Sequence, residues 1–156
     1  MILAGHDPAA DATVRWLERA VIGLNLCPFA KAAHVKAQVR IAVSDARDTA
    51  ALANDLAAEL ALLRDADPAR LDNTLLVHPH ALRDFLDYND FLDEAERVLG
   101  ALELDGNIQI ASFHPDYRFA DAEPDDPANL TNRSPFPMLH LLREASIDRA
   151  VAAYPD

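Results

Sequence analysis

The sequence predicts an α/β fold: a small, largely parallel or mixed sheet of three to four strands with helices packed on it. Two observations predict it. Apolar residues recur at a period of about 3.6 in some stretches and alternate at a period of about 2 in others, so helices and strands take turns along the chain. The strand stretches are also separated by long helical ones, which favours crossover connections and parallel neighbours. A ferredoxin-like mixed sheet, with a fourth strand that the pattern hides, is the alternative. The length of 156 residues suits a single domain, expected over residues 11–156 behind a flexible tail at residues 1–10.

The elements follow in order. From Asp11, the residues Val14, Leu17, Val21 and Leu24 share one face of a helix that Asn25 ends. Pro28 suits the first turn of a short second helix through Phe29, Ala30 and Ala33. Val39, Ile41 and Val43 alternate with Gln38, Arg40 and Ala42 in a first strand, which Ser44 and Asp45 close. Leu52, Leu56, Leu60 and Leu63 make an amphipathic helix over roughly residues 48–64. After a polar loop with Pro68, the apolar run Thr74–Val77 reads as a buried strand. Phe85, Leu92, Ala95 and Leu99 line another helix, with Gly100 as its stop. Asp105-Gly106 is a turn, and Ile108, Ile110 and Ser112 mark a third strand. Residues 114–134 then run without a glycine, a length more typical of functional loops than of simple connections. Ser134 as N-cap and Pro135 at the first helical position open a last helix through Leu139, Leu142 and Ala145.

Composition excludes several classes. The formal charge of −12 argues against a nucleic-acid partner, which needs a basic surface. No apolar run reaches the length of a transmembrane helix. The first residues, with His6, Asp7 and Asp11, do not read as a signal peptide, so a cytoplasmic location is expected. For the same reason the sequons Asn129-Leu130-Thr131 and Asn132-Arg133-Ser134 are not read as glycan acceptors. The single cysteine, Cys27, excludes an internal disulfide and a multi-cysteine zinc site. With four glycines in the chain, no Gly-rich phosphate loop is possible.

The second and third strands end alike, in Leu76-Val77-His78-Pro79 and Ser112-Phe113-His114-Pro115. Each places a histidine just after an apolar strand, where open parallel sheets bind ligands. If the strands are parallel neighbours, His78 and His114 stand side by side, and histidine titrates in the range that acid–base chemistry needs. Cys27 reads either as a small buried hydrophobe or as an N-cap whose thiolate is steadied by the helix that Pro28 starts, with Lys31 one turn on. Asn132-Arg133-Ser134, placed before a helix, offers free N–H groups and a guanidinium to an anion; the plainer alternative is a capped helix with Arg133 paired to a carboxylate. Asp125 and Asp126 lie in the long loop, where they either face solvent or join the histidines around a divalent metal. Tyr88, within the polar cluster Asp87-Tyr88-Asn89-Asp90, is placed to hydrogen-bond at the strand edge. His140 on the expected last helix reads as structural.

Four segments carry a resemblance: Asn25-Leu26-Cys27-Pro28-Phe29-Ala30-Lys31, the stretch from Asp84-Phe85 to Tyr88-Asn89-Asp90-Phe91-Leu92, Ser112-Phe113-His114-Pro115, and Thr131-Asn132-Arg133-Ser134-Pro135. Together they resemble the bacterial family known as domain of unknown function 1415, over residues 13–154. The resemblance implies an intact single-domain member of that family and supplies no activity. Cys27, His78, His114, Asp125, Asp126, Asn129, Asn132, Arg133, Ser134, His140 and Arg143 match the family pattern. Asp121 replaces an expected glycine, and Asp116 an expected glutamine, which weakens any role for Asp116 as an essential ligand.

Three functions are open at this level. The favoured one is a small-molecule enzyme with an anionic substrate, using Cys27 as nucleophile or redox thiol and His78 or His114 as base, in acyl or amide transfer or hydrolysis. Lys31, Tyr88, Asn132, Arg133 and Ser134 then bind the substrate. The second is a hydrolase-like enzyme with zinc or iron held by His78, His114 and Asp125 or Asp126. The third is a non-catalytic module binding an anionic metabolite. Cofactor, metal and oligomeric state are not legible in the chain.

Overall fold

The structure, a computed structural model, describes residues 2–3, 8–17 and 38–153. It is an α/β fold built on a mixed five-stranded sheet in the order β1-β2-β3-β5-β4. The strands are β1 (Ile2–Leu3), β2 (Val39–Val43), β3 (Asn73–Val77), β4 (Ile108–Phe113) and β5 (Met138–Arg143). The helices are α1 (Pro8–Trp16), α2 (Thr49–Asp65), α3 (Phe85–Ala101) and α4 (Glu144–Ala153). Strands β1, β2 and β3 pair in parallel, whereas β5 pairs antiparallel with both β3 and β4. It follows that β3 and β4 point the same way, and their carboxyl ends reach the same edge of the sheet with the start of β5 between them.

The helices form where the leucine spacing demands. Leu52, Leu56, Leu60 and Leu63 on α2 are fully buried and pack with Tyr88, Phe91, Ala95 and Leu99 of α3 against Ala42, Leu76, Leu139 and Leu141 of the sheet. On the opposite face Ala9, Ala10 and Leu17 at α1 cover Val39, Ile41, Leu75, Val77 and Met138. Asp48 caps α2 by accepting from the Ala51 N–H at 2.8 Å, and Asp84 caps α3 by accepting from Asp87 at 3.1 Å. At the other end of α2, Arg143 donates through Nη2 to the carbonyls of Leu63 (2.6 Å) and Ala66 (3.1 Å) and through Nε to Leu71 (3.1 Å). A cation thus sits on the negative end of the helix dipole and ties β5 to α2.

Four expectations are corrected. The last helix expected from Ser134 through Ala145 is instead β5, followed by α4 from Glu144. The cause is the position of β5 between two strands and between two layers. Leu139 and Leu141 face α2 and α3, while Met138 faces α1, so residues 138–142 are all buried and no polar–apolar alternation survives. Ser134 does not cap a helix; its hydroxyl donates to the Phe136 carbonyl at 2.6 Å. Second, Ile2 and Leu3, expected in a tail, pair with Arg40 and Ile41, and Pro8 already opens α1. Third, Gly100 lies inside α3, and the left-handed turn falls at Glu103 (φ 57°); a Cβ at Gly100 would stand 3.2 Å from the Asp105 carboxylate. Fourth, His78 and His114 end strands that are not neighbours, because β5 lies between them. The short helix expected after Pro28 lies outside the described residues, as does the part of the first expected helix at residues 18–25.

Tyr88 joins α3 to the sheet edge. Its ring is fully buried, and its hydroxyl accepts from the Phe113 N–H (3.0 Å) and donates to the Met138 carbonyl (2.8 Å), a residue pair in register across β4 and β5. Tyr88→Phe leaves that N–H and C=O unpaired and is expected to lower stability by about 1–3 kcal/mol. Urea unfolding followed by circular dichroism measures this, and an unchanged midpoint contradicts the bridging role.

Candidate functional site

The carboxyl edge of β3 and β4 gathers His78, His114 and Tyr88. The two imidazoles pack on the Tyr88 ring, His78 stacked at 5.9 Å between centroids and His114 tilted at 4.9 Å. Phe85 adds an edge contact to His114 at 5.3 Å and another to Tyr117 at 5.4 Å. Both histidines are fully buried, as is Tyr88. Burial pushes the tyrosine hydroxyl far above its ordinary range, so it stays a neutral hydrogen-bonding group.

The histidines differ in what their nitrogens meet. Nδ1 of His78 lies 3.0 Å from the Ala81 carbonyl, which requires a proton on Nδ1. Nε2 of His78 is then an unprotonated lone pair; it is buried and has no hydrogen-bond partner among the described residues. Burial is the main cause that depresses the pKa of this ring to about 4, so it is neutral at physiological pH. Nε2 of His114 lies 3.0 Å from the Leu82 carbonyl, and its Nδ1 accepts the Asp116 backbone N–H at 3.0 Å. His114 is therefore the opposite tautomer with both nitrogens engaged. Burial lowers its pKa as well, against the raising effect of the Leu82 carbonyl.

Both rings thus hold one short loop. Ala81 is tied by His78 and Leu82 by His114, in a segment where Leu82 adopts a left-handed backbone (φ 57°). A non-glycine residue there is uncommon and needs outside support. Leu82 was invisible as a site residue in the sequence, since nothing in a leucine announces its backbone angles.

The remaining expected residues separate. Asn132 donates through Nδ2 to the Ser112 carbonyl (2.9 Å), and its own carbonyl receives the His114 N–H (3.1 Å). Arg133 donates to the carbonyls of Tyr117 (3.0 Å) and Pro124 (2.6 Å). Asn129, fully buried, accepts from the Phe119 N–H and donates to the Glu123 carbonyl, holding the same loop from inside. The helix N-terminus on which an anion site at residues 132–134 rested is replaced by the approach to β5, and these side chains fasten the 114–134 loop. Asp126 caps the short 3-10 helix Pro127–Asn132 through the Ala128 N–H, and Asp125 is exposed. Among the described residues no group of three or more His, Cys, Asp or Glu side chains converges to hold a metal, so His78, His114, Asp125 and Asp126 do not form the expected set. Cys27 and Lys31 lie outside the described residues. His140, expected on a helix, is in β5, where Nε2 meets Asn73 Oδ1 at 2.9 Å and burial depresses its pKa to about 4.

Fold and site define an α/β protein with a paired histidine–tyrosine cluster at the carboxyl edge of a mixed sheet. The chain belongs to the family described as protein of unknown function (DUF1415), whose family model matches residues 8–156. No curated protein and no solved structure matches it. Among the described residues no helix is long and apolar enough to cross a membrane.

Two measurements check these assignments. Long-range nitrogen–proton NMR should show His78 protonated on Nδ1 and His114 on Nε2; one shared tautomer contradicts the hydrogen-bond pattern. The pH dependence of stability has a definite sign. His78 and His140 titrate near 4 when folded, against an ordinary value of 6.5. Below 6.5 the unfolded chain binds protons that the folded chain refuses, so stability falls from about pH 6.5 toward pH 4 and is flat above. Each ring should cost about 2 kcal/mol at pH 5. The gap between the urea midpoints at pH 7 and pH 5 should narrow in His78→Gln and in His140→Gln, each variant removing one ring's share and leaving the other's.

Proposed function

We propose that the chain is a small-molecule enzyme acting at the carboxyl ends of β3 and β4, with His78 as its acid–base residue. The observation that carries this reading is Nε2 of His78, a buried basic lone pair with no partner among the described residues. Leaving a buried acceptor unpaired costs about 1–3 kcal/mol, and groups left in that condition concentrate at functional sites. The Ala81 carbonyl fixes the tautomer and steadies the ring when Nε2 takes a proton.

The reading favours an anionic substrate. With a pKa near 4 the ring is a weak base at neutral pH. A negative group bound beside Nε2 raises that value by Coulomb attraction, so substrate binding itself brings the residue into the working range. Cys27 remains the favoured nucleophile in this reading, for acyl or amide transfer or hydrolysis. His114 and Arg133 are positioning residues, because their donors already hold Leu82, Tyr117 and Pro124. A non-catalytic anion-binding module is the second reading, favoured by the full engagement of His114, which leaves the edge with one available imidazole nitrogen.

The test is turnover of a panel of carboxylate- and phosphate-bearing esters, thioesters and amides by the wild type, His78→Gln and His114→Gln. Loss of a general base lowers kcat by about 100-fold or more, and His78→Gln is expected to show that loss while remaining folded. Equal turnover in the wild type and His78→Gln overturns the assignment. Saturable binding of panel members without turnover selects the second reading.

A further inference from the structure

A base must be reached to act, and the ring that carries Nε2 of His78 is fully buried. No substrate meets that nitrogen unless part of the chain moves aside. The described segments around the ring differ in how firmly they are held. His78 ends β3, and its own N–H donates to the Pro137 carbonyl at 3.0 Å. The Tyr88 ring on which it stacks belongs to α3, and β3, β4 and β5 are held by the ladders of the sheet. The 114–134 loop is fastened from inside by Asn129, Asn132 and Arg133.

Residues 79–83 are held by less. A turn bond runs from the Ala81 N–H back to the His78 carbonyl at 3.3 Å. The ties beyond it are the two imidazole contacts, His78 Nδ1 to the Ala81 carbonyl and His114 Nε2 to the Leu82 carbonyl, each 3.0 Å. Leu82 is also strained, since its φ of 57° is one that an aliphatic side chain adopts at a cost, and release of the loop lets it relax. Its side chain borders open space: with Thr49, Ala53 and Phe91 it lines a groove of about 600 Å³ between α2 and α3. A strained segment with few ties and room beside it opens at least cost.

We infer that residues 79–83 are a lid over His78, latched by the hydrogen bond from His114 to Leu82, and that substrate enters when the latch releases. The purpose of the lid, though not its movement, rests on the acid–base role of His78. Opening takes the Ala81 carbonyl away from Nδ1; closing restores it, fixes the tautomer again and shuts water out around the bound substrate. The two histidines of the edge then have separate tasks. His114 holds the lid through a donor that both of its ionisation states keep, and His78 keeps one nitrogen for the substrate.

The probe is diethyl pyrocarbonate, which acylates an unprotonated imidazole nitrogen, added to the full chain at pH 7 and read at each histidine by peptide mass spectrometry. His80 is exposed and sets the open rate, while His140 is buried in the sheet and reports unfolding of the whole chain. His78 should be labelled at least tenfold more slowly than His80 and at least tenfold faster than His140. Its rate should change little in low urea, because a local opening exposes little surface. His114→Leu removes the latch donor and should raise the rate at His78 about tenfold relative to His140. Equal rates at His78 and His140, climbing together with urea, mean that the site opens only by global unfolding and overturn the lid. Labelling of His78 as fast as His80 overturns it too, since nothing then covers the ring. If His114→Leu does not fold, the urea slopes of the wild type decide alone. Labelling reads access rather than turnover, so a locally opening His78 in a chain that turns over no panel member keeps the lid and defeats the catalytic assignment.

Discussion

One hydroxyl group ties α3 to the sheet edge where β4 meets β5. Tyr88 projects from α3 and joins β4 to β5 by accepting from Phe113 and donating to Met138. Both backbone groups need partners, and the buried phenol supplies a donor and an acceptor in one atom. The ring behind that hydroxyl is the surface on which His78 and His114 pack. Their outward nitrogens then reach the Ala81 and Leu82 carbonyls and hold the loop before α3. Helix, sheet edge and loop therefore depend on one side chain, and the chemistry available at the edge depends on their register.

The two histidines show how little the residue type decides. Each follows an apolar strand, precedes a proline and is fully buried. His114 meets a carbonyl on one nitrogen and a backbone N–H on the other, so it acts as a fastener. His78 meets a carbonyl on one nitrogen and no described group on the other. The difference lies in one hydrogen bond, donated by the Asp116 N–H and set by the path of a loop rather than by strand pattern. The same holds for Arg133. Its guanidinium would serve an anion if a helix began beside it, yet it meets the Tyr117 and Pro124 carbonyls because the chain there runs toward a strand.

Much of the frame was legible. The leucine row at 52, 56, 60 and 63, the strand runs at 39–43, 74–77 and 108–112, and the histidines at two strand ends were each readable within a window of a few residues. So was the oddity of Tyr88 among polar neighbours in a helix, which a long-range hydrogen bond explains. What was not legible has one character. The strand at 138–143 looks helical because both its faces are covered, which erases the alternation that marks a half-buried strand. Leu82 gives no sign of its backbone angles. Arg143 gives no sign that its donors will serve the distant carbonyls of Leu63 and Ala66.

The sequence by itself determined the α/β class, the helices with a leucine face, and the histidines at the strand ends, because each depends on residues close together in the chain. Tertiary structure decided that β5 enters between β3 and β4, which separates those two strand ends and returns the long loop to the same edge. It also decided which imidazole nitrogen has no partner among the described residues. Hydrogen bonds between residues 32 apart, such as His114 to Leu82, or 50 apart, such as Tyr88 to Met138, form only when the packed core brings those groups within reach. Local periodicity contains no record of that approach.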